Sequence, residues 1–332
     1  MKAQPESVTL PIALKDVQDA AVALRGIATR TPLLENPDVN EQLGGRLLVK
    51  AECAQRTGAF KIRGAYYRIL QMNTEERARG VITYSSGNHA QGVARAARLL
   101  GSSALIVMPD DVPAAKMDAA RSLGAGIVTY DRDTEDSDWV VARLREETGR
   151  IIVPPSAHPH VLAGAGTVAL EIFEQAAELN ARPDAILIPC GGGGLTASTA
   201  VVSRELSPRT RVYAVEPELF DDTRRSLVAR ARVANLKERR TICDAIMTPI
   251  PNNVTFPVNL ALLAGGLVAS DVEVRHAMRF AYEQYKIVVE PGAAVGLAAV
   301  LSGRISMAGQ TVVTVVTGGN IAPARFCALL ND

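Results

Sequence analysis

The most reactive candidate in this sequence is a lysine within residues 57–65, Thr-Gly-Ala-Phe-Lys-Ile-Arg-Gly-Ala. Lys61 directly follows an aromatic ring, and its amine can attack an aldehyde only after the ammonium group loses a proton. Burial or nearby positive charge lowers the pKa of a lysine enough for this. Phe60 and Ile62 would bury the amine, and Arg63 would add positive charge. The pattern fits a Schiff-base lysine, but it also fits the solvated surface position that most lysines occupy.

Residues 84–92, Tyr-Ser-Ser-Gly-Asn-His-Ala-Gln-Gly, form a second polar segment at the junction of two predicted elements. A β-like run precedes it at 81–83, and an alanine-rich helical pattern follows it at 93–100. Serine and asparagine at such a junction cap a helix, while the backbone N–H groups there favour an anion such as a carboxylate. The segment alone leaves both interpretations open.

Two further strand-like runs end in glycine turns. Ile186–Pro189 is followed by Cys-Gly-Gly-Gly-Gly, and Val312–Val316 is followed by Thr-Gly-Gly-Asn. Bare glycine backbone ahead of a helix can wrap a phosphate with its amides, although a flexible turn has the same composition. Thr317 would place a hydroxyl at the carboxyl end of a strand, the edge at which open α/β sheets keep their sites.

Strand-like and helix-like runs alternate along the 332 residues, which indicates parallel βαβ layers and about two domains. We predict a small domain over residues 74–154 and a large domain formed by 1–73 and 155–332. The small domain would contain strands at Val81–Tyr84, Ala104–Met108, Gly126–Tyr130 and Arg150–Val153. The large domain would contain strands at Arg46–Ala51, Ala185–Pro189, Arg211–Val215, Ile287–Glu290 and Thr311–Val316.

In their order and spacing, these segments closely resemble the serine/threonine dehydratase family of pyridoxal-phosphate (PLP) enzymes, which also contains serine racemase and hydroxyaspartate dehydratases. The resemblance runs from about Leu14 to Leu330. It implies the α/β architecture of PLP fold type II, shared with tryptophan synthase β chains, in which two open and mostly parallel sheets are flanked by helices. It also implies that the small domain closes over the substrate.

The resemblance assigns a role to each candidate residue. Lys61 would be the Schiff-base lysine, Phe60 would pack against the pyridine ring, and Asn88 would bond the 3′ oxygen of the cofactor. Thr317 would face the ring nitrogen. The phosphate would be held by the amides of Gly191, Gly192, Gly193, Gly194 and Leu195. The substrate carboxylate would be surrounded by Ser85, Ser86, Asn88 and His89, with Ser86 also at the face of Cα opposite the lysine.

A hydroxyl at the ring nitrogen indicates elimination chemistry. Unlike an aspartate, Thr317 would not keep the pyridine nitrogen protonated, so the ring would be a weak electron sink. Such a ring suits a reaction in which removal of the Cα proton by Lys61 is followed promptly by loss of a β-hydroxyl. We therefore predict a lyase that eliminates water from a 3-hydroxy amino acid of the L-threonine or L-serine type, giving a 2-keto acid and ammonia.

Two alternatives of other classes remain. The first is an amino-acid racemase of the serine type, with Lys61 and Ser86 as opposed bases. Serine racemases commonly have an arginine near a position where this chain has Ser-Asp-Trp at 137–139, which weighs against that alternative. The second is a nucleotide-binding oxidoreductase or binding protein, with a dinucleotide on residues 191–194. It leaves Lys61 and Asn88 without roles, and no G-x-G-x-x-G with an acidic residue about 20 positions further on is present.

The acidic segment 216–222 is a candidate cation site. The carboxylates of Glu216 and Asp222 and the carbonyl of Phe220 match the pattern by which several family members hold a divalent cation. Ligand sets made only of oxygen suit Mg²⁺ or Ca²⁺. A solvated acidic loop would have the same composition.

Composition fits a protein of the cytoplasm. The 36 basic and 35 acidic residues leave a formal charge of +1, so we expect no nucleic-acid partner. No signal-peptide core or membrane-spanning apolar run is apparent, and four separated cysteines suit a reducing compartment. The expected partners are a small amino-acid substrate and a second copy of the chain in a homodimer. Because the sequence ends soon after Thr317, we expect no C-terminal regulatory domain.

Overall fold

Two separate β-sheets organise the protein. The computed structural model describes residues 10–112, 114–236 and 239–331. In the larger sheet the strand order is β1-β2-β10-β7-β8-β9, and in the smaller sheet it is β5-β4-β3-β6. Every neighbouring pair is parallel except β1 and β2. The predicted α/β class with two open, mostly parallel sheets is confirmed, whereas the domain boundaries stay a prediction.

The elements have the following bounds in chain order. The strands are β1 Leu33–Glu35, β2 Arg46–Ala51, β3 Val81–Tyr84, β4 Ala104–Pro109, β5 Gly126–Tyr130, β6 Ile151–Ile152, β7 Ala185–Pro189, β8 Arg211–Pro217, β9 Gly265–Ala269 and β10 Thr311–Val316. The helices are α1 Leu14–Ala23, α2 Pro37–Leu43, α3 Lys61–Leu70, α4 Thr74–Arg79, α5 Asn88–Leu99, α6 Ala114–Ser122, α7 Ser137–Thr148, α8 Pro159–Glu178, α9 Gly194–Leu206, α10 Asp222–Ala229, α11 Phe256–Leu262, α12 Asp271–Tyr285, α13 Pro291–Leu301 and α14 Pro323–Asn331.

The centre of the larger sheet consists of strands with almost continuous apolar sequence. In β7 every residue is buried, and in β10 every residue after the first is buried. Strands that helices cover on both faces have apolar side chains at almost every position. Helix α13 is buried along ten of its eleven residues and lies against this sheet. Its apolar surface therefore forms part of the main core.

Strand register determines which loops meet. Val316 of β10 pairs with Ala51 of β2, and Thr314 pairs with Leu187 of β7. The carboxyl ends of these three parallel strands therefore lie at one edge of the sheet. The chain segments that leave this edge carry the lysine, the glycine run and Thr317, so the fold itself brings the candidate site together.

One predicted strand is wrong. Residues 286–290 are not part of either sheet, and α13 begins directly after them at Pro291. The position next to β8 in the larger sheet is occupied by β9. This strand begins with two glycines, so its sequence is not typical of a strand. No helix in the described residues is both long and apolar enough to cross a membrane.

Candidate active site

An open cleft of about 840 Å³ lies at the carboxyl ends of strands from both sheets. It is lined by residues that follow β3, β7 and β10 and by the segment that enters α3. All of the residues predicted to bind cofactor or substrate lie on its wall: Phe60, Lys61, Ser85, Ser86, Asn88, His89, Gly191, Gly192, Gly193, Gly194, Leu195 and Thr317. The structure thus brings these residues together, while their individual roles stay predictions.

Lys61 is the first residue of α3 and is half-buried. Its Nζ donates a hydrogen bond to the carbonyl oxygen of Pro155 at 2.9 Å, and it lies 5.0 Å from the centroid of the Phe60 ring. Burial lowers the pKa of Lys61 to about 8. An amine with this pKa is partly unprotonated near neutral pH, as a nucleophile and base requires.

Arg63 does not act on the lysine as the sequence suggested. Its guanidinium is turned into a buried ionic network, where it lies 2.7 Å from Glu52 and 2.6 Å from Glu171. Glu171 also accepts a hydrogen bond at 2.7 Å from Lys50, whose side chain is fully buried. Removal of one member of such a network typically costs about 3–5 kcal/mol, because its partner stays buried and unpaired. The role of Arg63 is therefore to anchor α3.

The segment after β3 places a neutral histidine at the start of α5. His89 is buried, and with the tautomer assigned from its surroundings Nε2–H donates to the carbonyl oxygen of Val153 at 2.9 Å. Burial and the charge of Lys61 lower the pKa of His89 to about 3, so the ring is uncharged at neutral pH. A carboxylate at this end of α5 would meet hydroxyl groups and backbone N–H groups, with no histidine cation.

The glycine run forms a cradle whose carbonyl groups are already occupied. Thr255 Oγ1 donates to the carbonyl oxygen of Gly192 at 2.7 Å, and Asn259 Nδ2 donates to that of Gly193 at 3.3 Å. Gly193 has φ +75°, and a Cβ there would lie 2.5 Å from the Asn259 amide nitrogen. Gly194 begins α9, so its N–H group has no partner within the helix. The cradle therefore offers N–H groups to an anion and fits a phosphate.

The strand end that carries Thr317 is tied directly to the lysine segment. The backbone N–H of Phe60 donates to the Thr317 carbonyl oxygen at 3.1 Å, and Ala59 forms an isolated bridge with Gly318. The Thr317 side chain is buried at the wall of the cleft. Sequence reasoning found this residue from its place after a strand, but it missed Thr255 and Asn259, which reach the glycine run from elsewhere in the chain.

The acidic segment lies outside the cleft lining and contains two buried carboxyl groups. Glu216 accepts hydrogen bonds from the backbone N–H groups of Thr223 at 2.9 Å and Arg224 at 2.7 Å. Asp222 Oδ1 accepts one from Asn235 at 2.7 Å, whereas its buried Oδ2 has no partner in the described part of the chain. Burial and the charge of Asp222 raise the pKa of Glu216 to about 8, and burial raises that of Asp222 to about 7.

The unpaired Oδ2 of Asp222 fits a hard cation. Such a cation would offset the negative charge of the two buried carboxylates. The described residues contain no group of three or more histidine, cysteine, aspartate or glutamate side chains arranged for a metal ion. A cation here would therefore depend on the Phe220 carbonyl and on water for its remaining ligands.

Comparison with known proteins identifies the family. The family model for pyridoxal-phosphate dependent enzymes matches residues 24–318. The chain belongs to this family. The structure is similar to that of a T.th. threonine deaminase, with a TM-score of 0.88, 40% identity and coverage of 94% of this chain and 99% of the other. This likeness confirms fold type II.

Similar curated proteins are ammonia-lyases and racemases. The L-threo-3-hydroxyaspartate ammonia-lyase of a Pseudomonas species is 41% identical over 95% of this chain and 97% of its own length. The serine racemase of Schizosaccharomyces pombe is 35% identical over 96% of this chain and 97% of its own. The L-threonine ammonia-lyase of Thermotoga maritima is 36% identical over 96% of this chain and 78% of its own. The chain is thus an enzyme of the PLP-dependent ammonia-lyase and racemase group, and the hypothesis of a nucleotide-binding oxidoreductase is excluded.

Proposed function

We propose that the protein eliminates water from a 3-hydroxy amino acid and releases a 2-keto acid and ammonia. The observation that carries the proposal is the pairing, on one cleft wall, of a lysine whose pKa is lowered to about 8 with a neutral hydroxyl at the end of β10. When bound, the cofactor supplies an aldehyde for the lysine and a ring that withdraws electrons from Cα. Lys61 would hold it, Phe60 and Thr317 would contact its ring, and residues 191–195 would hold its phosphate.

Lys61 is the group that moves the proton. With its amine free, Lys61 is a base whose pKa of about 8 lies close to working pH. The Pro155 carbonyl, 2.9 Å away, accepts a hydrogen bond from the amine and restrains its position. We propose that Lys61 takes the proton from Cα, and that Ser86 lies on the other face.

The substrate carboxylate would bind at the start of α5. The candidate groups there are the hydroxyls of Ser85 and Ser86, the amide of Asn88 and the neutral ring of His89. Backbone N–H groups in the first turn of a helix add a partial positive charge that favours an anion. These N–H dipoles would orient the carboxylate without placing a second cation beside Lys61.

The cleft also contains basic side chains that a second carboxylate could reach. Lys116, Arg132 and Arg325 line it, and each is ion-paired with Asp244 or Asp111, which a substrate carboxylate would have to displace. Relatives from Pseudomonas and from Saccharomyces cerevisiae, the latter 38% identical over 95% of both chains, are named L-threo-3-hydroxyaspartate ammonia-lyases. We therefore include 3-hydroxyaspartate with L-threonine and L-serine among the proposed substrates.

Racemisation is the second candidate activity, because Ser86 lines the same cleft as Lys61. The test incubates the PLP-loaded enzyme separately with L-serine, L-threonine and L-threo-3-hydroxyaspartate. Keto acid is measured with dinitrophenylhydrazine, and enantiomers are measured by chiral chromatography. We expect keto acid and ammonia in equal amounts. Enantiomer formation without keto acid from any of the three would refute the elimination proposal, and its loss in Ser86→Ala would assign the racemase role to Ser86.

The remaining proposals concern assembly and ions. We propose that Glu216, Asp222 and the Phe220 carbonyl bind Mg²⁺ or Ca²⁺, supported by the free Asp222 oxygen. We also propose that residues 74–154 close over the substrate and that the enzyme acts as a cytoplasmic homodimer. Gel filtration with light scattering tests the dimer, since a monomer at micromolar concentration would refute it.

A further inference from the structure

A continuous chain of hydrogen bonds fixes one amide at the wall of the cleft. Asn320 Nδ2 donates to the carbonyl oxygen of Thr57 at 2.8 Å and to Asn88 Oδ1 at 2.8 Å. Asn88 Nδ2 in turn donates to Glu290 Oε1 at 2.5 Å. The two residues of each hydrogen bond are more than 200 positions apart in sequence, and Asn88, Glu290 and Asn320 line the cleft. The chain therefore runs along the surface that faces a bound molecule.

The direction of each amide in this chain follows from chemistry. The Thr57 carbonyl can only accept a hydrogen bond, so the Asn320 atom beside it must be the nitrogen. The second N–H of that nitrogen points to Asn88, whose facing atom must therefore be its oxygen. The Asn88 nitrogen then faces Glu290 and uses one of its two N–H groups there. One N–H of Asn88 is left for a ligand in the cleft.

Two glycines make room for this arrangement. Gly58 has φ +68°, and a Cβ at this position would lie 2.3 Å from Asn320 Oδ1. At Gly318 a Cβ would lie 2.2 Å from Glu290 Oε1 and 3.0 Å from Asn88 Nδ2. Glu290 is 6% exposed, so its carboxyl group has little water to bond with in place of the amide. The backbone and the three side chains therefore fit together closely.

We infer that Glu290 and Asn320 are positioning residues that hold the Asn88 amide with one N–H aimed at the 3′ oxygen of the cofactor. The inference rests on the predicted hydrogen bond from Asn88 to the 3′ oxygen of the cofactor, which belongs to the proposed PLP-dependent function, but not on which reaction follows. Without these two residues Asn88 would be free to turn its oxygen toward the cofactor oxygen, and an attraction would become a repulsion. Glu290 and Asn320 act only through Asn88.

The test measures cofactor binding and not turnover. Cofactor-free protein is titrated with pyridoxal phosphate, and the absorbance of the lysine-bound form is followed near about 410–420 nm. We expect Glu290→Ala and Asn320→Ala each to raise Kd by about 3- to 10-fold, the range for one hydrogen bond lost from a buried site. In an Asn88→Ala background each should change Kd by less than about 2-fold, because the residue through which they act is gone.

Conservative and matched controls separate this role from general damage. Glu290→Gln retains an acceptor for Asn88 and should recover most of the affinity lost in Glu290→Ala. Glu283→Gln, at an exposed position on α12, should bind the cofactor as the native protein does. Circular dichroism of each cofactor-free variant identifies any that fails to fold; Glu290→Gln and Asn320→Asp, which change few atoms, then carry the test. Asn320→Asp removes the donor to Asn88 and should weaken binding as Asn320→Ala does.

Three results would overturn the inference. The first is an unchanged Kd in both alanine variants. The second is full additivity in the Asn88→Ala background, which would show that Glu290 and Asn320 act independently of Asn88. The third is native affinity in Asn320→Asp. An enzyme that binds the cofactor as expected but releases no keto acid would contradict the proposed reaction alone, so the two failures are distinguishable.

Discussion

Lys116 Nζ lies 2.9 Å from Asp244 Oδ2, and this ion pair joins α6 to a short turn beside the larger sheet. Helix α6 packs on β5 of the smaller sheet, whereas the turn Asp244–Ile246 packs on α13. Arg325 of α14 reaches the same carboxylate at 3.3 Å. Although burial opposes them, the charges of Lys116 and Arg325 lower the pKa of Asp244. The pair connects the two sides of the cleft.

Removal of the ion pair between Lys116 and Asp244 should make helix α6 open more often. In Lys116→Met, we expect backbone amides of α6 to exchange with deuterium about 2- to 5-fold faster, the range for a partly exposed ion pair of up to about 1 kcal/mol. Lys15→Met removes an exposed ion pair with Asp19 within α1 and serves as the control. Equal exchange in α6 for the two variants would show that the pair does not restrain the helix.

Lys61→Ala should abolish turnover and the absorbance of the lysine-bound cofactor near about 410–420 nm. The reason is that Lys61 lies beside the Phe60 ring, whereas Lys116, the other described lysine in the cleft lining, is paired with Asp244. Circular dichroism should be unchanged. Native elimination activity in this variant would refute the assignment of Lys61.

Thr317→Asp tests the electronic argument. A carboxylate at the end of β10 would favour a protonated ring nitrogen and a stronger electron sink, so the electron pair left by loss of the Cα proton would stay in the ring for longer. We expect a slower release of keto acid and a new absorbance at long wavelength during turnover. An unchanged rate with no new absorbance would show that Thr317 does not face the nitrogen.

The cation proposal predicts a stability effect. A cation that binds only the folded form stabilises it by RT ln(1 + [L]/Kd), about 2.7 kcal/mol at 100 times Kd. EDTA should therefore lower the melting temperature, and Asp222→Asn should remove the difference between EDTA and millimolar Mg²⁺ or Ca²⁺. In EDTA at a pH above 8, where both carboxyl groups lose their protons, the variant should melt above the native protein, because one buried charge is gone. Equal melting of the native protein with and without the cation would contradict the proposal.

His89 predicts a pH dependence of stability. Its pKa is lowered from 6.5 to about 3 in the folded protein, so the unfolded chain binds the proton more tightly. Its contribution to stability is fully present above pH 6.5 and is lost as the pH falls from there toward 3, by at most about 1.4 kcal/mol per pH unit. Urea unfolding of the cofactor-free protein should show a shallower pH slope for His89→Gln than for the native protein. Identical slopes would contradict a buried neutral His89.

The sequence predicted elements whose signal is local. Apolar runs followed by glycine, as at 186–194 and 312–319, located both the strands and the cleft residues that follow them. The prediction failed for residues whose contacts come from distant parts of the sequence. Residues 287–290 have strand-like types, yet β9 occupies the free place beside β8. Asn320 and Glu290 were given no role, because only the folded chain brings them to Asn88.

The buried ionic network of Lys50, Glu52, Arg63 and Glu171 has a consequence for how the substrate range of such enzymes can change. Lys50 and Arg63 carry two positive charges, and Glu52 and Glu171 carry two negative ones. The network therefore has no net charge. The cationic groups that line the cleft lie elsewhere, on α6, after β5 and on α14. Mutation can therefore alter the charge offered to a substrate side chain while the lysine keeps its reactivity. Under the proposed function, this insulation would let Lys61 act on neutral and acidic amino acids alike.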